Sequence, residues 1–227
     1  MTEARPPLRY DGAPHRYLLR RGTLLRRVHP KPLGPFEFKK TTADVLYDGA
    51  RFDATASDPY PYLYAGLSEA TVLAETLLRD VDRNDDGYRV VPYDKALGRT
   101  ISQFTLAQDL DLVSLIDGKD LGAIGQDTWL VSCPAAEYPW TRDWAHWLRR
   151  QASWAHGFIW DSNRDRGGLA MVLFGDRLAR DFGAAYEQTL PREIRKLADD
   201  LGDPAGVKWV NERLRGPYRA IVSPPAW

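Results

Sequence analysis

The chemistry-bearing side chains of this sequence are one acid, several cations and one polar loop. Glu75 lies in EATVLAETLLR, Arg27 in LLRRVHP, Arg51 in GARFD and Tyr64 in YPYLYAG, while Ser162, Asn163 and Arg164 share FIWDSNRDRGG. Guanidinium groups fork onto phosphate oxygens, and a carboxylate opposes positive charge. The set therefore suits an anionic ligand whose reacting centre turns cationic.

Other chemistries find little support. No G-x-x-x-x-G-K-[ST], no HExxH and no helix-opening G-x-G-x-x-G occurs, and no serine sits in a G-x-S-x-G elbow. His15, His29, His146 and His156 lack ligand spacing, and Cys133 is the only cysteine. A metal site, a Cys-based zinc site and an intramolecular disulfide are not expected. The 31 basic residues balance the 31 acidic ones, so no global field draws the chain to nucleic acid or an anionic membrane.

With 227 residues, 44% of them hydrophobic and 11% aromatic, the chain can bury a sizeable core. The segment from Met1 to Arg27 lacks the unbroken apolar run of a signal peptide, and no later run is long and apolar enough to span a membrane. A cytoplasmic protein is expected. Residues 1–22, rich in Arg, Pro and Gly, read as an irregular N-terminal arm, and residues 23–227 as one α/β domain with a C-terminal helical extension.

The elements that must position the polar side chains follow from periodicity. Leu24–Val28 and Tyr60–Ala65 read as strands, separated by a loop-rich stretch from His29 to Pro59. Ser68 is a good N-cap for a helix running to about Asp82, with Leu73, Leu77 and Val81 as its buried stripe and Glu75 off its centre. Further strands are expected at Tyr88–Tyr93, Ile101–Leu106, Leu110–Leu115, Phe158–Trp160 and Leu169–Phe174.

A second strong helix is expected from Thr141 to Gly157. Trp140, Trp144, Trp147 and Trp154 recur along it at helical spacing, which suits a packed face better than an exposed platform. Arg192–Leu201 and Val207–Leu214 read as short helices, and the terminal SPPAW as a surface tail.

In order and spacing, RRVHP with Arg27, GARFD with Arg51, YLYAGLSEATVLAE with Tyr64 and Glu75, and FIWDSNRDRGG with Ser162 resemble the RES domain. That family is named for an arginine, a glutamate and a serine. The resemblance covers about residues 24–174. It implies a compact mixed-sheet α/β fold like that of the ADP-ribosyltransferases, holding NAD in a cleft.

It also implies cleavage of the nicotinamide–ribose bond by phosphorolysis or hydrolysis. NAD would be substrate and inorganic phosphate a co-substrate, with no permanently bound cofactor. The implied role is the toxin of a toxin–antitoxin pair, with a helix-turn-helix antitoxin that blocks the cleft.

By the same resemblance, Arg27, Glu75 and Ser162 are the catalytic candidates. Arg27 and Arg51 would hold the diphosphate or incoming phosphate, Tyr64 would pack on an aromatic ring, and Glu75 would face the developing oxocarbenium charge. Ser162 would hydrogen-bond in the nicotinamide or ribose pocket, with Asn163 and Arg164 adjoining it.

Each residue has an ordinary alternative. Glu75 can pair with Arg79 at i,i+4, Tyr64 can be sheet packing, and Ser162 can be a turn residue in DSN. Arg26 and Arg27 must point to opposite faces of their strand, so only one of them can face a given site. At the level of function, the alternatives are an ADP-ribosyltransferase acting on a macromolecule and a non-catalytic module that binds through the tryptophan-rich helix.

Overall fold

A computed structural model describes residues 5–45 and 49–223. The first four residues of the arm, residues 46–48 of the loop-rich stretch and the last four of the SPPAW tail lie outside the described residues. The strands are β1 (Arg16–Leu19), β2 (Leu24–Pro30), β3 (Tyr62–Gly66), β4 (Arg89–Val91), β5 (Arg99–Leu106), β6 (Leu110–Leu115), β7 (Gly157–Asp161), β8 (Leu169–Phe174), β9 (Pro191–Ala198) and β10 (Ala220–Val222). The helices are α1 (Glu69–Leu77), α2 (Tyr93–Ala96), α3 (Gly118–Ala123), α4 (Trp129–Ser132), α5 (Tyr138–Gln151), α6 (Gly175–Phe182), α7 (Tyr186–Thr189) and α8 (Pro204–Tyr218).

Eight strands form one mixed sheet in the order β1-β6-β7-β8-β3-β2-β5-β9. Within it β6 and β7 are parallel and the other pairs antiparallel, while β4 and β10 form a separate parallel pair. The fold is thus mixed α/β, as expected. No helix among the described residues is long and apolar enough to cross a membrane.

Pairing fixes which side chains share a face. Arg26 lies opposite Gly66, Tyr64 opposite Val172, and Trp160 opposite Ala170, so Arg26, Val28, Tyr62, Tyr64, Trp160 and Ala170 share one face. Leu25, Arg27 and His29 point to the other. The first face packs under α1, α5 and α8, with Trp144 and Leu148 of α5 on Phe158 and Val172, and Leu73 and Leu77 of α1 against Val210 and Leu214 of α8. The second face is filled by Leu63, Phe104, Met171, Phe36 and Phe38, and is closed by Leu178 and Tyr186 of α6 and α7.

Several elements differ from the periodicity reading. Arg16–Leu19, inside the expected arm, is an edge strand paired to β6. Ser68 caps α1 as expected, accepting from the Thr71 amide at 2.9 Å, but the helix ends at Leu77 and not near Asp82. Asp80 adopts a left-handed φ of 54°, which a continuing helix cannot contain. The helix α5 ends at Gln151, so Trp154 lies beyond it, half-buried, with Arg16 4.2 Å over its ring.

Trp144 and Trp147 are nevertheless only 1% and 6% exposed and belong to the core, whereas Trp140 at the start of α5 is 37% exposed. A binding module built on Trp144 and Trp147 loses its surface. The stretch expected as a helix over Arg192–Leu201 is strand β9, paired to β5 across two register shifts. Its residues have helical propensity, but a long-range partner edge decides their conformation.

On the second face, His29 is 2% exposed and its ring contacts Ser102 Oγ at 3.0 Å. Burial, reinforced by the Arg27 charge, pushes the imidazole down from 6.5 to about 4. As pH falls below 6.5 the unfolded chain takes up a proton that the folded chain refuses, so this histidine's stability contribution is intact above that pH and lost progressively down to about 4. A shift of that size is worth about 3 kcal/mol. Urea unfolding of His29→Gln should therefore show a flatter loss of stability across this window than the parent; equal slopes would contradict the assignment.

Candidate functional site

A cleft of about 260 Å³ opens on the first face where α1, the Gly49–Ala54 loop, the start of β5 and the N-terminus of α5 meet. Its walls include Arg51, Tyr64, Thr71, Glu75, Arg79, Arg99, Tyr138 and Trp160.

The loop carrying Arg51 is fastened on two sides. Thr141 Oγ1 of α5 donates to the Arg51 carbonyl at 2.7 Å, and Arg142 donates to the carbonyls of Ala50 and Ala43 at 3.2 and 2.8 Å. From the sheet, Tyr60 donates to the Phe52 carbonyl, while Tyr62 and Tyr64 both donate to the buried Asp53 carboxylate, at 2.8 and 2.9 Å. Gly49, at φ 66°, lies so close to Asp53 that a Cβ would come within 2.6 Å of its oxygen. The loop is pre-shaped before any ligand arrives.

Arg51 itself is 8% exposed. Its Nη2 donates to the Cys133 carbonyl at 3.1 Å and its guanidinium sits 5.1 Å from the Tyr138 ring, but its buried Nε has no partner among the described residues. The buried Trp160 Nε1, on the same cleft, is likewise without a partner there. Buried donors left unmade are costly, and both of these belong to residues that line the cleft.

Glu75 is half-buried and accepts from Ser162 Oγ at 2.5 Å, although the two are 87 residues apart in sequence. Ser162 is fully buried at the end of β7, and its amide donates to the Gly168 carbonyl at 2.8 Å. The i,i+4 pairing with Arg79 is not made among the described residues. Arg79 donates to the Gly49 carbonyl at 2.7 Å and approaches Asp80 at 3.5 Å.

Tyr64 lines the cleft, with its hydroxyl committed to Asp53 and accepting from the Phe52 amide at 3.0 Å. Burial, then the Asp53 charge, holds its phenol well above the usual range, so it stays a neutral donor. Arg99 is held below its ordinary value by burial and by the neighbouring Arg79 charge. Two cations that repel across a cleft favour an anion between them.

The candidate residues divide accordingly. Arg51, Tyr64 and Glu75 line the cleft, and Ser162 joins them through its bond to Glu75. Arg27 does not. It lies on the opposite face of the sheet, 5% exposed, where its Nη1 donates to the carbonyls of Gly34, Pro35 and Glu37 at 3.4, 3.2 and 2.7 Å.

Asn163 also points elsewhere, to the Ser132 carbonyl at 3.5 Å and Arg166 at 3.1 Å. Arg164 contributes its amide to Ser162, while its side chain approaches Asp80 at 3.9 Å. Arg99, Thr71, Tyr138 and Trp160 were not singled out by sequence, and Arg79 only as a partner for Glu75. The i,i+4 spacing from Glu75 draws attention to Arg79, which the structure places just beyond the end of α1, but nothing local marks Arg99.

Among the described residues, no group of three or more His, Cys, Asp or Glu side chains could hold a metal ion. Three guanidinium groups around one serine-held carboxylate can bind a phosphate-bearing ligand and oppose a cation developing on it.

Comparison with protein families matches the RES domain over residues 24–194. No curated protein matches the chain. Among solved structures, a chain of the crystal structure of the M. tuberculosis MbcT–MbcA toxin–antitoxin complex aligns at 13% identity and a TM-score of 0.47, covering 82% of this chain and 89% of that one.

Proposed function

The chain belongs to the RES domain family, and from that premise we propose that it cleaves the nicotinamide–ribose bond of NAD in this cleft. The observation that carries the proposal is the Ser162–Glu75 pair set among Arg51, Arg79 and Arg99, beside the unpartnered Arg51 Nε and Trp160 Nε1. The arginines hold the diphosphate. At about 260 Å³ the cleft suits one end of a dinucleotide, the rest lying outside, since whole-ligand sites start at about 300 Å³.

As the ribose C1–nitrogen bond breaks, its electron pair leaves with nicotinamide and positive charge grows on the ribose. The Glu75 carboxylate, aimed by the Ser162 hydroxyl, opposes that charge. An acceptor oxygen then bonds to the ribose carbon. Attack by phosphate gives ADP-ribose 1″-phosphate; attack by water, with loss of a proton, gives ADP-ribose. In the cell this activity makes the protein a toxin, and a protein antitoxin that covers the cleft would silence it.

The test is incubation of the purified protein with NAD, with and without inorganic phosphate, followed by product identification. Free nicotinamide with ADP-ribose or its phosphate is expected, and intact NAD would refute the proposal. An ADP-ribosylated macromolecule would instead identify a transferase. In the same assay Arg51→Ala should raise the KM for NAD by about 10- to 100-fold, the scale of one lost charge-assisted hydrogen-bonding group; an unchanged KM would remove Arg51 from the diphosphate site.

A further inference from the structure

Glu75 and Ser162 account for the chemistry proposed above but not for how the serine hydroxyl is aimed. Ser162 Oγ donates to Glu75 and accepts from the amides of Arg164 and Asp165 at 3.2 and 3.0 Å. With its acceptor side occupied, the hydroxyl proton is directed at the carboxylate. The Asp165 backbone therefore sets the aim.

Asp165 is gripped from two sides. Thr71 Oγ1, in the first turn of α1, donates to one carboxylate oxygen at 2.7 Å, and Tyr218 Oη, the last residue of α8, donates to the other at 2.6 Å. Thr71 is in turn joined to the α1 cap, its Oγ1 lying 2.7 Å from Ser68 Oγ. Gly168 completes the cluster, because a Cβ there would come within 2.3 Å of both Asp165 Oδ2 and Thr71 Oγ1. The glycine of the DSNRDRGG loop is thus a packing requirement of this contact.

The far end of the chain is well anchored for such a role. Arg213 bonds Glu69 at 2.8 Å, Val210 and Leu214 pack on Leu73 and Leu77, and the chain turns at Arg219, with φ 48°, into β10 beside β4. Helix α8, Arg219 and β10 lie beyond residue 194, where the family match ends. Burial, then the bond to Asp165, holds the Tyr218 phenol above its ordinary range, so it remains a donor at neutral pH.

We propose that Tyr218, acting through Asp165, is a positioning residue for the Ser162–Glu75 pair, which makes the C-terminal helix a working part of the cleft. The proposal rests on the NAD-cleaving role given to that pair. Tyr218→Phe keeps the ring and deletes the hydroxyl.

Misaiming a reacting group by a fraction of an ångström lowers turnover without removing a substrate contact, so kcat should fall about 10-fold with the KM for NAD unchanged within about twofold. In a Ser162→Ala background the same substitution should cause no further fall, because there is no hydroxyl left to aim. Amide hydrogen exchange over residues 162–168 should quicken. Asp165→Asn, with one acceptor oxygen for two hydroxyls, should reproduce these effects and stands in should Tyr218→Phe fold poorly.

An unchanged kcat, or an equal fall in both backgrounds, would overturn the proposal, the latter being what general loosening of the fold produces. Should the parent protein leave NAD intact, the NAD-cleaving role fails separately. The Tyr218 link is then judged by exchange alone: faster exchange over 162–168 supports it, and unaltered protection overturns it.

Discussion

Replacing Glu75 with glutamine should lower NAD turnover by about 10²- to 10³-fold, the scale on which one preorganised electrostatic group acts on a transition state. The substitution keeps shape and an acceptor oxygen for Ser162 Oγ, which now lies 2.5 Å from the carboxylate, but deletes the negative charge. Affinity for NAD should change far less, because the charge that Glu75 opposes develops mainly as the bond breaks. Stability should stay close to that of the parent, since no ion pair involving Glu75 is made among the described residues. NAD consumption by the folded variant decides the matter, and parental turnover would sink the mechanism.

Arg27→Ala should behave in the opposite way. The resemblance to the family implies a substrate contact at this arginine, but the structure sets it on the far face of the sheet, donating to three loop carbonyls. Burial lowers its pKa to about 10, and it remains a cation at neutral pH. Each buried carbonyl left without a donor costs about 1–3 kcal/mol.

The loss should total about 3 kcal/mol or more, which for a chain of this size lowers the thermal midpoint by roughly 6–12 °C. The KM for NAD should stay within about twofold of the parent once measured below that midpoint. Weakened NAD affinity at an unchanged midpoint would return Arg27 to the site.

Much of the frame was legible where local chemistry decides conformation. Ser68 ahead of an apolar stripe announces α1, and the β-rich runs around Tyr64, Trp160 and Val172 announce β3, β7 and β8. Glu75 and Ser162 were each found by motif, and their meeting depends on β3 and β8 lying side by side with β7 next in the sheet.

The phase of the Arg26–Arg27 pair was not legible. Alternation puts the two on opposite faces, but only the pairing of Arg26 with Gly66 says which face is which. Arg99 and Tyr218 escaped for a related reason: each reaches its neighbours through long-range packing, and neither stands in a recognisable local pattern.

The charge pattern of β9 has a meaning beyond its misleading likeness to a helix. This strand is the last in the sheet, and Arg192, Glu193, Arg195 and Lys196 are all exposed along it. An outer strand offers an unpaired row of amides and carbonyls to any other chain that can come alongside. Charges along that row make such joining unfavourable, and the register shifts against β5 bend the strand out of the flat form that a second copy would need. The same residues that give the segment its helical look keep separate molecules from stitching together edge to edge.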